Sequence, residues 1–384
     1  MNSQKRARAR ERESTCSLQE YIGKSFEVPE NKIKKGRDIA MKVTIKEIAE
    51  RAGVHRATVD KVLHNRVGVS DEVRMKVQQI IDQMGYTPNP AGRVLQRQGK
   101  IYRIAAILVE VDALEFLKAG IEQGVRNQVG FEIEVSYHIC KFQDAQTQKE
   151  FIDAAVEEQV DGIVLSPINS NRVRQAIDRA VHAGIPVVTA NSDIDGTERQ
   201  YCVSAGGMRA SRIAGRLMGQ FLGGKGKVAI ISSAVDSENN NYHVSVREQG
   251  FTEFLKKQYP LIEIVDCIES FEDPQITFHK TLELLEKYTD LQGIYITCGG
   301  AAQVGKALQQ KERAQDIRVI SFEDYPEIVE LIRQDVIDCT LAGEIQRQGE
   351  LPIQIIMDYL VFGKKPQTEQ IFTETKILVK ESLV

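Results

Sequence analysis

Two hydrophobic periods divide the chain. From residue 41 to 86 the apolar positions recur at helical spacing. Ile45, Ile48, Ala49 and Ala52 fall on one face, and Val73, Val77, Ile80, Ile81 and Met84 form a second stripe. Thr44 with Glu47 three residues on is a capping-box pattern, and Gly53 breaks the helix it opens. A second helix is predicted over about 56–64, with Val59, Val62 and Leu63 turned inward. Ser70 caps a third, Asp71 and Glu72 suit its positive end, and Gly85 stops it. Asn89 and Pro90 then start a short helical segment over 91–97. Beyond Gly99 the period changes. Apolar runs of strand length at 104–109, 131–137, 162–165, 186–190, 228–231, 262–267, 293–297 and 318–322 alternate with helical stretches. That alternation predicts parallel sheets with helices on both faces, and about 285 residues suffice for two such lobes.

Charge sharpens the division. The 384-residue chain has a net charge of −4, but residues 1–99 carry 20 Lys/Arg against 12 Asp/Glu, whereas residues 100–384 carry 30 against 42. A small basic head on a large acidic body is the distribution of a polyanion-binding module with a separate second domain. No apolar run approaches 18 residues, which excludes a membrane-spanning helix. The charged N-terminus has no apolar core and excludes a secretory signal. Six widely spaced cysteines (Cys16, Cys140, Cys202, Cys267, Cys298, Cys339) without a CxxC pair predict reduced thiols and a cytoplasmic protein. Residues 1–40 are expected to be a poorly ordered tail. Lys34-Lys35-Gly36-Arg37 is what a purine-rich ribosome-binding site yields when translated, just upstream of Met41. Translation is therefore expected to begin at Met41; the alternative is a genuine basic arm that touches DNA.

Helix, Gly-containing turn and helix within about 20 residues is the helix-turn-helix pattern, whose second helix enters the major groove. Its leading side chains here are His55, Arg56 and Ala57, with Lys61 one turn on. Arg56 can fork onto a guanine, while Lys61 and Asn65 can reach phosphates or bases. An ordinary helical hairpin with charged outer faces has the same pattern. Residues 43–98, however, resemble without a gap the DNA-binding head of the LacI/GalR family of bacterial transcription regulators. The matching motifs are T-I-x-x-I-A-x-x-A-G-V, T-V-x-x-V-L, V-S-x-x-V-R and G-Y-x-P-N. The resemblance implies a helix-turn-helix domain over 41–88, a hinge helix over 89–99 that folds on operator DNA, and an effector-binding and dimerisation domain over 100–384. It matches Arg56, Ala57 and Lys61 to base-reading positions. Thr44, His55, Thr58, Asn65 and Asn89 complete the expected DNA-binding set. Leu95 falls on the residue that wedges open the central minor-groove step, unless it is core beneath the hinge. Two positions depart from the family. Asp60 replaces a phosphate-facing serine, and Gly92 replaces a hinge alanine, which weakens that helix by about 1 kcal/mol.

Residues 101–384 resemble the ribose-binding type of periplasmic binding protein through DGIVLSP (161–167), GIPVVTAN (184–191), IAGRLMGQFL (213–222), VREQGF (246–251) and VISFED (319–324). The resemblance implies two lobes with ligand in the cleft between them. It places Arg247, Glu323 and Asn191 on sugar hydroxyls and Phe116 against an apolar sugar face. A guanidinium, a carboxylate and an amide can satisfy hydroxyls that both donate and accept. Alternatives stand beside these assignments: a surface ion pair for Arg247, a turn cap for Asn191 and plain helix core for Phe116. The family's polar pairs are replaced by Gly206-Gly207 and by Cys298-Gly299-Gly300. These glycines are expected to make room for a larger sugar, a polyol or an anionic derivative.

The remaining motifs carry little. Gly223-Gly224-Lys225-Gly226-Lys227 lacks the phosphate-loop spacing and precedes a strand instead of following one. The six histidines have no metal-ligand spacing, and no nucleophilic triad can be assembled. No enzyme activity, cofactor or metal is expected. The reading is an α-helical helix-turn-helix head on a two-lobed α/β body. It describes a cytoplasmic homodimeric repressor that binds near-palindromic operator DNA under control of a small carbohydrate effector. The alternative is a soluble sugar-binding protein without a regulatory role.

Overall fold

The computed structural model describes residues 43–63, 68–84, 99–234 and 242–383. The chain divides into two compact units between Pro88 and Asn89. The tail over 1–40, Asn65, Asn89, Leu95 and the predicted hinge segment 91–97 lie outside the described residues.

The first unit holds the three predicted helices, α1 (Ile45–Ala52), α2 (Arg56–Leu63) and α3 (Asp71–Met84). The capping box forms as its residue types require: Glu47 N–H donates to Thr44 Oγ1 at 3.3 Å, and Thr44 N–H donates to Glu47 Oε2 at 2.7 Å. Gly53 closes α1 at φ 65°, its N–H reaching back to Ala49 and Glu50 carbonyls. Ile48, Ala52, Val59, Val77 and Ile81 form the small core between the helices.

The second unit contains two six-stranded sheets. In one, β1 (Ile101–Val109), β2 (Glu132–Cys140), β3 (Gly162–Leu165), β4 (Val187–Ala190), β5 (Tyr201–Ser204) and β11 (Gln370–Phe372) take the order β11-β5-β4-β3-β1-β2, all parallel. In the other, β6 (Lys225–Ser232), β7 (Leu261–Glu269), β8 (Gly293–Ile296), β9 (Arg318–Phe322), β10 (Cys339–Ala342) and β12 (Lys376–Leu378) take the order β12-β10-β9-β8-β6-β7. Every predicted run is a strand. One expectation needs correcting: β12 runs antiparallel to β10, so the second sheet is not wholly parallel. Central strands such as GIVL and VVTA are buried along their whole length, as strands covered on both faces must be.

The helices α4 (Leu114–Asn127), α5 (Ala145–Glu157), α6 (Asn171–His182) and α12 (Ile345–Phe362) flank the first sheet. The second is flanked by α7 (Gly207–Phe221), α8 (Tyr242–Gln258), α9 (Pro274–Lys287), α10 (Ala301–Gln310) and α11 (Pro326–Arg333). The chain therefore passes between lobes three times: after β5, after β10 and between β11 and β12.

Helices α4 and α12 pack backbone to backbone. A Cβ on Gly120 would lie 2.0 Å from the Gln346 carbonyl oxygen, and one on Gly349 2.3 Å from that of Leu117. Neither obstacle can swing away, because both are backbone. Gly120→Val is expected to destabilise the protein by about 3 kcal/mol or more in denaturant titration, since the helices must separate. Gly184 sits at φ 84° with open space around it. Gly184→Ala is expected to cost only the left-handed backbone term, about 1–2 kcal/mol.

Candidate DNA-reading helix and interlobe cleft

Helix α2 presents the residues expected at a major groove. Val59 and Val62 anchor its inner face. His55, Arg56 and Ala57 at its leading end are exposed, and Thr58 and Lys61 are half-buried. The His55 carbonyl accepts the Thr58 N–H at 2.8 Å, which starts the helix. Thr44 is exposed at the start of α1, its side chain engaged by Glu47. The basic side chains are thus free to meet a polyanion without disturbing the core beneath them.

In the second unit a cavity of about 650 Å³ opens between the lobes. Its polar side chains stand where strands end, Asp112 beyond β1, Asn191 after β4, Glu272 beyond β7 and Glu323 after β9, with the Gly299 backbone beyond β8. This is where open α/β sheets present ligand sites. All four of the expected effector residues, Phe116, Asn191, Arg247 and Glu323, line this one cavity.

Arg247 projects from α8 and is 6 % exposed. Its Nη1 donates to the Thr297 carbonyl at 2.9 Å and its Nη2 to Glu323 Oε1 at 3.0 Å. The guanidinium lies 3.7 Å over the Phe322 ring centroid, a cation–π contact. Arg247 Nε has no hydrogen-bond partner among the described residues. The surface ion pair considered for Arg247 is thus a buried one. Burial pushes the Glu323 carboxyl above the usual carboxylate range, and Arg247 opposes that push. Glu323 Oε2 accepts the Gly343 N–H at 3.2 Å, and its carbonyl accepts the Thr340 hydroxyl at 2.6 Å.

Asn191 adopts φ 65°, and its Nδ2 donates to Gln348 Oε1 at 3.3 Å. Phe116 is not plain core: its ring meets that of Tyr325 across the cleft, with centroids 5.0 Å apart.

Several cleft residues escape sequence reasoning. Asp112 and Glu272 come from opposite lobes and meet over Gly299, where a Cβ would lie 2.8 Å from Asp112 Oδ2 and 2.7 Å from Glu272 Oε2. Their only sequence signal is a carboxylate shortly beyond a strand. Gln348 gives no signal at all, being one glutamine in a helix. Of the glycines expected to make room for ligand, Gly299 and Gly300 line the cavity, but Gly206 and Gly207 do not. The space at Gly207 is taken by His243, 3.1 Å from a Cβ there, and that at Gly206 by Phe372 at the same distance. The lining also turns against an anionic derivative. Asp112, Glu115, Glu272, Glu323 and Glu327 outnumber Arg247 and Lys306. Burial holds the Cys298 thiol well above its ordinary value, so it stays protonated and unreactive.

Comparison with known proteins follows the same division. Residues 44–89 match the family model "Bacterial regulatory proteins, lacI family", and residues 115–365 match "Periplasmic binding protein domain". The probable HTH-type transcriptional regulator EndR of Paenibacillus polymyxa is 28% identical over 157 residues, 40% of this chain and 44% of that protein. The chain thus aligns with under half the length of that relative. The HTH-type transcriptional regulator GntR of Pseudomonas aeruginosa is 24% identical over 74% of this chain and 80% of its own length. Among solved structures, a transporter solute-binding protein from Burkholderia graminis in complex with D-arabinose superposes with a TM-score of 0.68. It is 22% identical and covers 73% of this chain and 96% of its own. Among the described residues no helix is long and apolar enough to cross a membrane.

His243 lines the same cleft and is 8 % exposed. Burial first, and then the Arg247 charge, hold its imidazole well below the ordinary value of 6.5. The unfolded chain therefore takes up a proton below that value while the folded one does not, so His243 costs stability as pH falls through 6. Unfolding free energy measured from pH 7.5 to 5 is expected to fall less in His243→Asn than in the wild type.

Proposed function

Because the chain belongs to the periplasmic binding protein domain family and carries a lacI-type head, we propose that it is a sequence-specific DNA-binding transcription regulator. It acts as a cytoplasmic homodimeric repressor whose operator affinity is set by a small ligand in the interlobe cleft. The observation that carries this reading is the union in one chain of two sites: a helix whose basic leading residues stand clear of its core, and a cleft whose donors and acceptors converge at strand ends. Two such heads address two half-sites, so the operator is near-palindromic. Arg56 and Lys61 contribute base and phosphate contacts, Thr44 and His55 flank them, and Leu95 wedges the minor groove.

In the cleft, Asn191, Glu323 and Arg247 bind hydroxyls of a carbohydrate-like effector, and the Phe116–Tyr325 pair packs on its apolar face. Ligand closes the lobes about the three crossovers, and the closed state alters the order of the hinge segment. Two sites are then coupled through one two-state element. No catalytic step is assigned to these residues.

The test is fluorescence anisotropy with a duplex selected by the protein from a random library. Affinity is expected to fall steeply with salt. Lys61→Ala and Leu95→Ala are each expected to weaken specific binding about tenfold or more without lowering the melting temperature. Normal affinity in both variants, or no salt-dependent DNA binding, would leave a binding protein without a regulatory role.

A further inference from the structure

The cleft's charge is unbalanced in one place. Asp112 Oδ2 and Glu272 Oε2 both lie within 2.8 Å of the single point that a Gly299 Cβ would occupy, so they are closer than twice that distance to each other. Each has modest local support. Gly299 N–H donates to Glu272 Oε2 at 3.2 Å, and the Gly300 backbone assists Asp112. Among the described residues neither carboxylate forms an ion pair with a Lys, Arg or His. Among the described residues the buried cation of the cleft is Arg247, and it is committed to Glu323 and the Thr297 carbonyl. Both acids sit above their ordinary range, each chiefly through desolvation by the surrounding protein even though Asp112 keeps exposed surface, with Glu327 adding to Asp112 and Asp112 to Glu272. Two carboxylates this close are relieved either by a shared proton or by a positive charge between them, and a cationic ligand supplies the second.

A metal ion fits poorly, because among the described residues no three His, Cys, Asp or Glu side chains are grouped to hold one. An ammonium needs less: three N–H donors satisfied by two carboxylates and one further acceptor. The neighbouring groups suit the rest of such a molecule. Arg247, 94 % buried, lines the same cavity, and its buried Nε–H has no partner among the described residues, so the side chain holds hydrogen-bonding capacity that is released only when its cover shifts. The Phe116 and Tyr325 rings offer faces that attract a cation and cover C–H surface.

We infer that the cleft's ligand is an amino sugar or amino cyclitol, with its ammonium seated between Asp112 of one lobe and Glu272 of the other and its hydroxyls on Arg247, Asn191 and Glu323. The inference rests on the cleft being the effector site. Because the two carboxylates belong to different lobes, the ammonium also bridges them, so the ligand's charge itself favours closure.

Thermal unfolding of the full chain tests this with glucosamine, galactosamine and 2-deoxystreptamine, each at about 10 mM. Their N-acetyl derivatives, glucose, galactose, myo-inositol and glucuronate serve as uncharged or anionic counterparts. At least one amine is expected to raise the melting temperature by several degrees more than its acetylated counterpart. The increment is expected to disappear in Asp112→Asn and in Glu272→Gln. If either variant fails to fold, the amine-against-acetyl comparison on the wild type decides alone. Equal shifts from neutral or anionic members, an increment that survives in both variants, or no response to any amine would overturn the inference. A neutral sugar that shifts the protein and changes its DNA affinity would overturn the amine while leaving the regulator intact.

Discussion

The Gly343 crossover is the joint on which the body depends. Three chain segments pass between the lobes, and their hydrogen bonds converge there. Thr373 Oγ1 and Gln348 Nε2 both donate to the Gly343 carbonyl at 2.6 Å. Thr373 N–H donates to the Ser204 carbonyl at 2.9 Å, and Thr375 Oγ1 to that of Ala205 at 3.2 Å. A Cβ at position 343 would meet the Ala205 Cβ at 2.6 Å, so only glycine lets these two segments pass. Lacing of this kind keeps the crossovers as one bundle. Crossovers held together in this way are the geometry of a hinge between two lobes.

The cleft is wired into that joint through one carboxylate. Glu323 gives one oxygen to Arg247 and the other to the Gly343 N–H. Asn191 reaches the same place from the other lobe, through Gln348. Three residues around the joint, Asn191, Glu323 and Glu344, hold left-handed backbone at φ 65°, 71° and 55°. Conformations of that kind cost roughly 1–3 kcal/mol each and persist only where surroundings over-determine them. The buried Arg247–Glu323 pair is not there for stability, because desolvation cancels much of its attraction. What it supplies is connection: a ligand that draws on Arg247 changes the partner of a group bonded to the hinge.

The sequence makes the scaffold more legible than the site, for physical reasons. Long strands such as 104–109 declare themselves because a strand covered on both faces must be apolar throughout. Strands β5, β10, β11 and β12 are three or four residues long and carry Ser, Thr, Gln or Lys, so their pairing comes from position in the sheet instead of composition. Arg247, Asn191, Glu323 and Phe116 were reachable by resemblance, since each sits at a fixed offset from a recognisable stretch. Asp112 and Glu272 were not. They are distant in sequence, belong to different lobes and acquire meaning only when Gly299 brings them to one point. Gly206 and Gly207 misled in an instructive way. A missing side chain suggests empty space, but Phe372 and His243 had already filled it.

Charge then gives the molecule its division of labour. The first 99 residues carry a surplus of 8 cations, with Arg56 exposed at the leading end of α2, while the body carries a surplus of 12 carboxylates over cations. A body of that sign is repelled by DNA, which confines polyanion contact to the head and keeps the cleft from acting as a second phosphate site. The same sign inside the cleft discriminates among small molecules. An anionic sugar must bring its charge past Asp112, Glu272 and Glu327 with Arg247 already paired to Glu323. A molecule with positive charge meets no such barrier, and its charge is worth most when the lobes close and water leaves. For the ligand proposed above, selectivity and closure draw on one arrangement of carboxylates, so a substitution that neutralises one of them is expected to alter both together.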